Sequence, residues 1–123
     1  MDARYVFAVR FRLDPDARGV GVEPDEFETR LTREADPPGE EGWLFFRDNL
    51  WRGEVNDADH FRRLTEEALG VTVVSVEYRA FETDEAYLEA LKDEIRDDLG
   101  TFNATSVSEV ITKYLGSSVE VGP

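Results

Sequence analysis

Between residues 4 and 13 the chain alternates with a period of two: Tyr5, Phe7, Val9, Phe11 and Leu13 take the odd positions, while Arg4, Arg10 and Arg12 stand among the even ones. Successive side chains of a strand point to opposite faces, so this run reads as a strand with one apolar face and one partly basic face. Such a strand needs neighbours and an apolar layer over Tyr5, Phe7, Val9 and Phe11. A sheet with one covered face is therefore required. Asp14-Pro15-Asp16 ends the run, because proline removes a donor and the flanking aspartates favour a turn.

A second strand signal covers residues 71–81, rich in β-branched and aromatic side chains, with Val74, Val76 and Tyr78 on one parity and Ser75, Glu77 and Arg79 on the other. After a loop over residues 17–25 that holds Gly19, Gly21 and Pro24, residues 26–35 alternate more weakly, Phe27, Thr29 and Leu31 against Glu28, Arg30 and Thr32. They read as a strand, with a helix opened by Pro24 as the rival. Residues 36–42 read as a hairpin connection into Trp43-Leu44-Phe45-Phe46-Arg47 and on to Leu50-Trp51-Arg52. Apolar residues fall on both parities there, the pattern of a central strand covered on both faces or of one bulged near Asp48-Asn49.

Three helices follow from capping and spacing. Asn56 or Asp57 caps one that runs through Leu69, with a stripe of Ala58, Phe61, Leu64, Ala68 and Leu69 and Gly70 after its end. Thr83 starts a second, through about residue 99, with Tyr87, Leu88, Leu91, Ile95 and Leu99 inward and Glu85, Glu89, Asp93 and Asp97 outward. Ser106-Val107-Ser108-Glu109 has the form of a capping box, and Val107, Val110, Ile111, Tyr114 and Leu115 form a stripe closed by Gly116. Residues 118–121 are a candidate edge strand. At 123 residues the chain suits one core. The order β-β-β-α-β-α-α, with or without a last strand, gives a single α+β domain over residues 1–123. It is expected to be a mostly antiparallel sheet of about four to five strands with two or three helices on one face.

Charge narrows the setting. The chain has 28 acidic and 14 basic residues, a formal net charge of −14, and twelve of the basic residues are Arg, against only Lys92 and Lys113. Self-repulsion on this scale is screened when the Debye length falls from about 10 Å in dilute buffer to about 3 Å in molar salt. Arg, weakly hydrated and forked, suits a surface of carboxylates. The expected setting is therefore a concentrated electrolyte. The same charge opposes general nucleic-acid binding at low salt. No cysteine is present, which removes disulfides, thiolate zinc sites and cysteine nucleophiles. No apolar run approaches the roughly 18 residues of a membrane span, and no secretory signal opens the chain, so the cytoplasm is the expected compartment.

Signals of catalysis are sparse. Gly19-Val20-Gly21-Val22 departs from a phosphate-binding loop because Pro24 takes the third glycine position. His60 is the only histidine and falls in the first turn of a helix, where a solvated side chain is the ordinary outcome. The acid pairs Asp14/Asp16, Asp57/Asp59 and Asp97/Asp98 lack the spacing of a calcium loop, and Asn103-Ala104-Thr105 matches a glycosylation sequon only by form. No cofactor and no metal is expected. Basic charge is segregated instead: residues 1–52 carry eight Arg and 12 acids, whereas residues 53–123 carry six basic residues and 16 acids. If helices cover the Tyr5, Phe7 and Val9 face, Arg10, Arg12 and Arg79 emerge on the other. Arg47 or Arg52 joins them if the third strand's register allows. That face is a candidate binding surface, and a ladder of cross-strand pairs with Glu28 or Glu77 is its purely structural alternative.

At Leu50-Trp51-Arg52, within Arg47-Asp48-Asn49-Leu50-Trp51-Arg52-Gly53-Glu54-Val55, the sequence resembles the LWR-salt proteins of halophilic archaea, and the acidity, scarcity of Lys and length agree with that resemblance along the whole chain. The resemblance implies an origin in salt-loving archaea and carries no catalytic residue. The expected function is a non-enzymatic binding or protein-interaction module using Arg10, Arg12, Arg47, Trp51, Arg52 and Arg79 to contact a protein partner or a second copy of itself. An RNA-associated protein is the second reading, and a small enzyme working through carboxylates the third. No membrane partner is expected.

Overall fold

The computed structural model describes residues 1–13, 21 and 25–122. The Asp14-Pro15-Asp16 turn and, apart from Gly21, the glycine loop lie outside them. In chain order the elements are strands β1 (Ala3–Arg12) and β2 (Glu26–Glu34), the short helix α1 (Phe45–Asn49), the strands β3 (Leu50–Trp51) and β4 (Glu54–Val55), helix α2 (Ala58–Leu69), strand β5 (Thr72–Thr83), helix α3 (Glu85–Asp97), helix α4 (Val107–Leu115) and strand β6 (Val119–Val121). A 3₁₀ turn over Leu99–Phe102 links α3 to α4.

The main sheet has the order β2-β1-β5-β6. β1 pairs antiparallel with β2 and with β5, while β6 runs parallel to β5, so the sheet is mixed. Residues 26–34 are a strand and not the rival helix. Tyr5, Phe7 and Val9 are buried on the helix-covered face: Tyr5 meets Phe45 and Phe81, and Phe7 meets Phe61 and Tyr78, with ring centroids 4.7 to 5.8 Å apart. A second group of rings, Phe46, Phe102 and Tyr114, extends this core beneath α4.

The expected third sheet strand is absent from the main sheet. Residues 43–44 are turn, Phe45–Asn49 is helical, and Leu50–Trp51 pairs only with Glu54–Val55 in a separate two-stranded hairpin. Apolar residues occur on both parities because one short turn of helix buries Phe46 while Trp43, Leu44 and Phe45 pack partly against the same core. The parity on β5 also differs from the alternation in sequence. Register shifts opposite Val6/Phe7 and Arg10/Phe11 leave Arg79 and Val74 without partners on β1, so that Val73 is buried while Val74 is exposed. Each extra residue resets which side chains face inward.

Capping is largely as the sequence indicates, with shifts of detail. The Asp57 carboxylate accepts the His60 N–H at 3.1 Å, Asp84 rather than Thr83 caps α3 by accepting the Tyr87 N–H at 2.7 Å, and the Ser106 hydroxyl accepts the Glu109 N–H at 3.2 Å. The Glu109 carboxylate takes the N–H and hydroxyl of Thr105. On α2 the buried side is centred on Phe61 and Thr65, and Leu64 and Leu69 of the expected stripe are 46% and 40% exposed. Thr65 is tolerated inside because its hydroxyl donates to the Phe61 carbonyl at 2.9 Å. Arg62 and Glu66, next to it, bond the carbonyl and N–H of Val73 and so cover that stretch of the β5 edge.

Candidate binding surfaces

The six residues singled out in the sequence fall on two separate surfaces. Arg10, Arg12 and Arg79 lie on the open face of the sheet. Arg47, Trp51 and Arg52 belong to α1 and the β3–β4 hairpin, on the helix side. Neither Arg47 nor Arg52 joins the sheet face, since the strand expected to carry them there is not part of that sheet.

The open face is built by even-numbered residues of β1 and their partners. Arg12 pairs with Glu26 at 2.9 Å, and Arg79 with Glu77 at 2.8 Å and more distantly with Glu28 at 3.9 Å. Glu82 is shared by Arg4 at 2.8 Å and Arg30 at 2.7 Å. Arg30 stands opposite Ala8 and Glu82 opposite Arg4, on the two strands flanking β1, so their bridge crosses β1 diagonally over Val6. Val6 is only 5% exposed although no helix covers it. The hydrogen bond from Arg4, with help from Arg30, holds the Glu82 carboxyl below the usual glutamate range. Among the described residues Arg10 makes no ion pair and no cation–π contact.

The second surface is organised by a tight turn. Trp51 pairs with Glu54, and the two residues between them, Arg52 and Gly53, both have positive φ, 52° and 81°. Those signs define a type I′ turn, whose twist suits a two-residue hairpin. Its N–H groups do not point to water: Arg52 N–H donates to the Lys113 carbonyl at 2.7 Å and Gly53 N–H to the Tyr114 carbonyl at 2.9 Å. Carbonyls in the last turn of a helix have no partner within it, and here the hairpin supplies two donors to the end of α4. The approach is close. A Cβ on Gly53 would stand 3.3 Å from the Leu115 oxygen, and one on Gly116 would stand 3.1 Å from the Arg52 oxygen.

Around this joint Leu50 is completely buried, whereas Trp51 is 44% exposed and rests edge-on against Tyr114 at 5.9 Å. The Arg52 guanidinium lies 5.6 Å and the Lys113 ammonium 5.9 Å from the centre of the Trp51 ring. Lys113 also donates to the Phe102 carbonyl at 3.0 Å. The sequence offers no hint of Lys113 and Tyr114 in this group, because they are distant in the chain and reach Trp51 only through the docked turn. Arg47 is tied to Asp48 at 3.1 Å.

The displaced carboxyls, Glu82, Asp84 and Glu109, are all held low, Asp84 first by the Tyr87 N–H and Glu109 first by the Thr105 N–H. Burial pushes the Tyr78 and Tyr87 hydroxyls up to about 12, and both are partnered, Tyr78 by Ser118 at 2.7 Å and Tyr87 by the Asp36 carbonyl at 2.6 Å. Among the described residues no three His, Asp or Glu side chains gather to hold a metal ion, and no helix is long and apolar enough to cross a membrane.

A family model described as LWR-salt protein matches residues 1–123. No curated protein and no solved structure matches the chain.

Proposed function

This chain belongs to the LWR-salt protein family along its whole length, and from the placement of its Leu50-Trp51-Arg52 we propose that it is a non-enzymatic protein-interaction module of a salt-loving archaeon, working in the cytoplasm at molar salt. The contact surface is the Trp51 ring with Arg52 and Lys113 beside it. Its partner is a protein segment that offers carboxylates to the two cations and an apolar side chain to the ring.

The observation that carries this reading is Arg52 at φ 52°. A left-handed conformation costs an ordinary residue roughly 1–2 kcal/mol, and Asn or Gly is the cheaper occupant of this turn position. The fold asks of the turn the Leu50 side chain, two backbone donors, a missing Cβ at Gly53 and the inner edge of the Trp51 ring against Tyr114. Neither the guanidinium nor the outer surface of Trp51 meets any of those needs. A costly residue whose side chain the turn does not require, next to a half-exposed tryptophan, fits an anchor for a partner. The open-face arginines enter as structural ties, with Arg10 the member that pairs with no described acid.

Affinity capture from a halophile lysate in molar KCl tests the reading. A specific protein held by the wild type is expected to be lost with Trp51→Ala and with Arg52→Asn, each weakening binding by about 2 kcal/mol or more as for a central anchor, while Arg10→Ala retains it. Both variants should keep the wild-type circular dichroism. Capture indifferent to Trp51 and Arg52 would overturn the proposal, and recovery of RNA in place of protein would favour the RNA-associated reading.

A further inference from the structure

We propose that a second copy of this chain pairs with the outer edge of β2, antiparallel and centred on Thr29, to make one continuous sheet through two molecules. This surface is separate from the Trp51 turn and stands or falls independently of it.

The two sides of the sheet are treated differently. At the β5 side, β6 covers Phe81–Thr83 and the Arg62 and Glu66 side chains bond the backbone of Val73. At the other side β2 has, among the described residues, β1 as its only strand neighbour over all nine residues, and its register with β1 is free of bulges. It contains no proline, no lysine and no bulge, and its charges, Glu26, Glu28, Arg30, Arg33 and Glu34, are of both signs, so that they can pair across an antiparallel contact. The Ala35 N–H donates to the Ala3 carbonyl and the Asp25 carbonyl accepts from the Leu13 N–H. Odd-numbered residues thus turn their backbone groups toward β1, and in a regular strand the even ones, Glu26, Glu28, Arg30, Thr32 and Glu34, turn theirs outward.

A twofold axis normal to the sheet pairs odd with odd and even with even, so only a few registers are possible. Centred on Thr29, Glu28 stands opposite Arg30 of the second copy, twice by symmetry, Phe27 stands opposite Leu31, Asp25 opposite Arg33, and Thr29 opposite itself. No like charges meet. Centred on Arg30, two arginines face each other and Glu26 faces Glu34. Centred on Glu28, two glutamates meet, and centred on Leu31, Glu28 meets Glu34. Directly opposed charges and apolar pairs are what select a cross-strand register. Phe27 and Leu31 are the only half-buried residues of β2, and this register places each over the other. Arg30 spends one nitrogen on Glu82 and keeps other donors for Glu28 of the second copy. Two chains of net charge −14 repel at long range, so molar salt is the condition under which the edges meet.

The absence of cysteine makes the contact directly readable. Thr29 opposes itself in a non-hydrogen-bonded pair, where Cα atoms lie about 4.5 Å apart, within the roughly 4.4–6.8 Å that a disulfide spans. Thr32 is about 20 Å from its own copy, six residues of strand away. In molar KCl, light scattering is expected to give twice the chain mass, and mild oxidation to link Thr29→Cys quantitatively but not Thr32→Cys. Glu28→Arg should halve the mass, and Glu28→Arg with Arg30→Glu together should restore it. A wild-type monomer at high concentration, equal linking at both cysteine positions, or a Glu28→Arg protein that stays dimeric would each overturn the proposal.

Discussion

A methyl group on Gly116 would sit 3.1 Å from the Arg52 carbonyl oxygen, at φ 62° and ψ −136°, a conformation that side-chain-bearing residues avoid. Both penalties fall on the joint between the hairpin and α4. Gly116→Ala is therefore expected to cost about 2 kcal/mol, read as a melting temperature lower by about 8 °C in molar KCl. In the sequence Gly116 is legible as a helix terminator, and Trp51-Arg52 as an aromatic beside a cation. Their meeting is not legible. It depends on a turn conformation and on a helix end that approach each other only once both have formed, and neither leaves a periodic trace in the chain.

At the scale of elements, β1, β2, β5 and the three longer helices could be read from period, propensity and caps, because each buries one face against a common core. The segment around Phe45 and Phe46 misleads for a physical reason: aromatic residues favour strands, and one turn of helix embedded among rings looks apolar on both parities. Bulges at Val74 and Arg79 are equally silent, since an extra residue changes the burial of its neighbours without changing their type. The sequence also raises the cross-strand ladder with Glu28 and Glu77 but not the three-strand tie through Glu82, whose two arginines come from different strands. That tie gives a pH dependence. Because the folded Glu82 carboxyl is held low, its contribution is present above the ordinary glutamate range and disappears as pH falls through the depressed value. Thermal melts of wild type and Glu82→Gln should differ most near neutrality and converge on acidification; a gap that persists well below the carboxylate range would refute the tie.

For the whole molecule, net charge decides the conditions of stability. Most ion pairs here are exposed and individually weak, so they do not offset the excess of carboxylates in dilute buffer. Moving from about 0.1 M to molar KCl, with the Debye length contracting to about 3 Å, is expected to raise the melting temperature by on the order of 10 °C. An unchanged melting temperature would remove the physical basis for a salt-loving habitat. Of the six expected contact residues the fold unites Arg10, Arg12 and Arg79 on one side and Arg47, Trp51 and Arg52 on the other. Alternation assigns a residue to a face of its own strand, but it does not say which strands share a sheet.

The one parallel pairing among the described residues, between Phe81–Thr83 and Val119–Val121, comes from segments separated by two helices. A chain emerging from the ribosome can lay down β1, β2 and β5 while this margin still lacks its neighbour, and Tyr78 waits equally long for the Ser118 hydroxyl. Until α3 and α4 have turned back, a solvent-facing row of amides and carbonyls persists beside the core. Val119–Val121 thus acts as the closing seam of the sheet, and a ribosome that stalls before that segment holds an unfinished one.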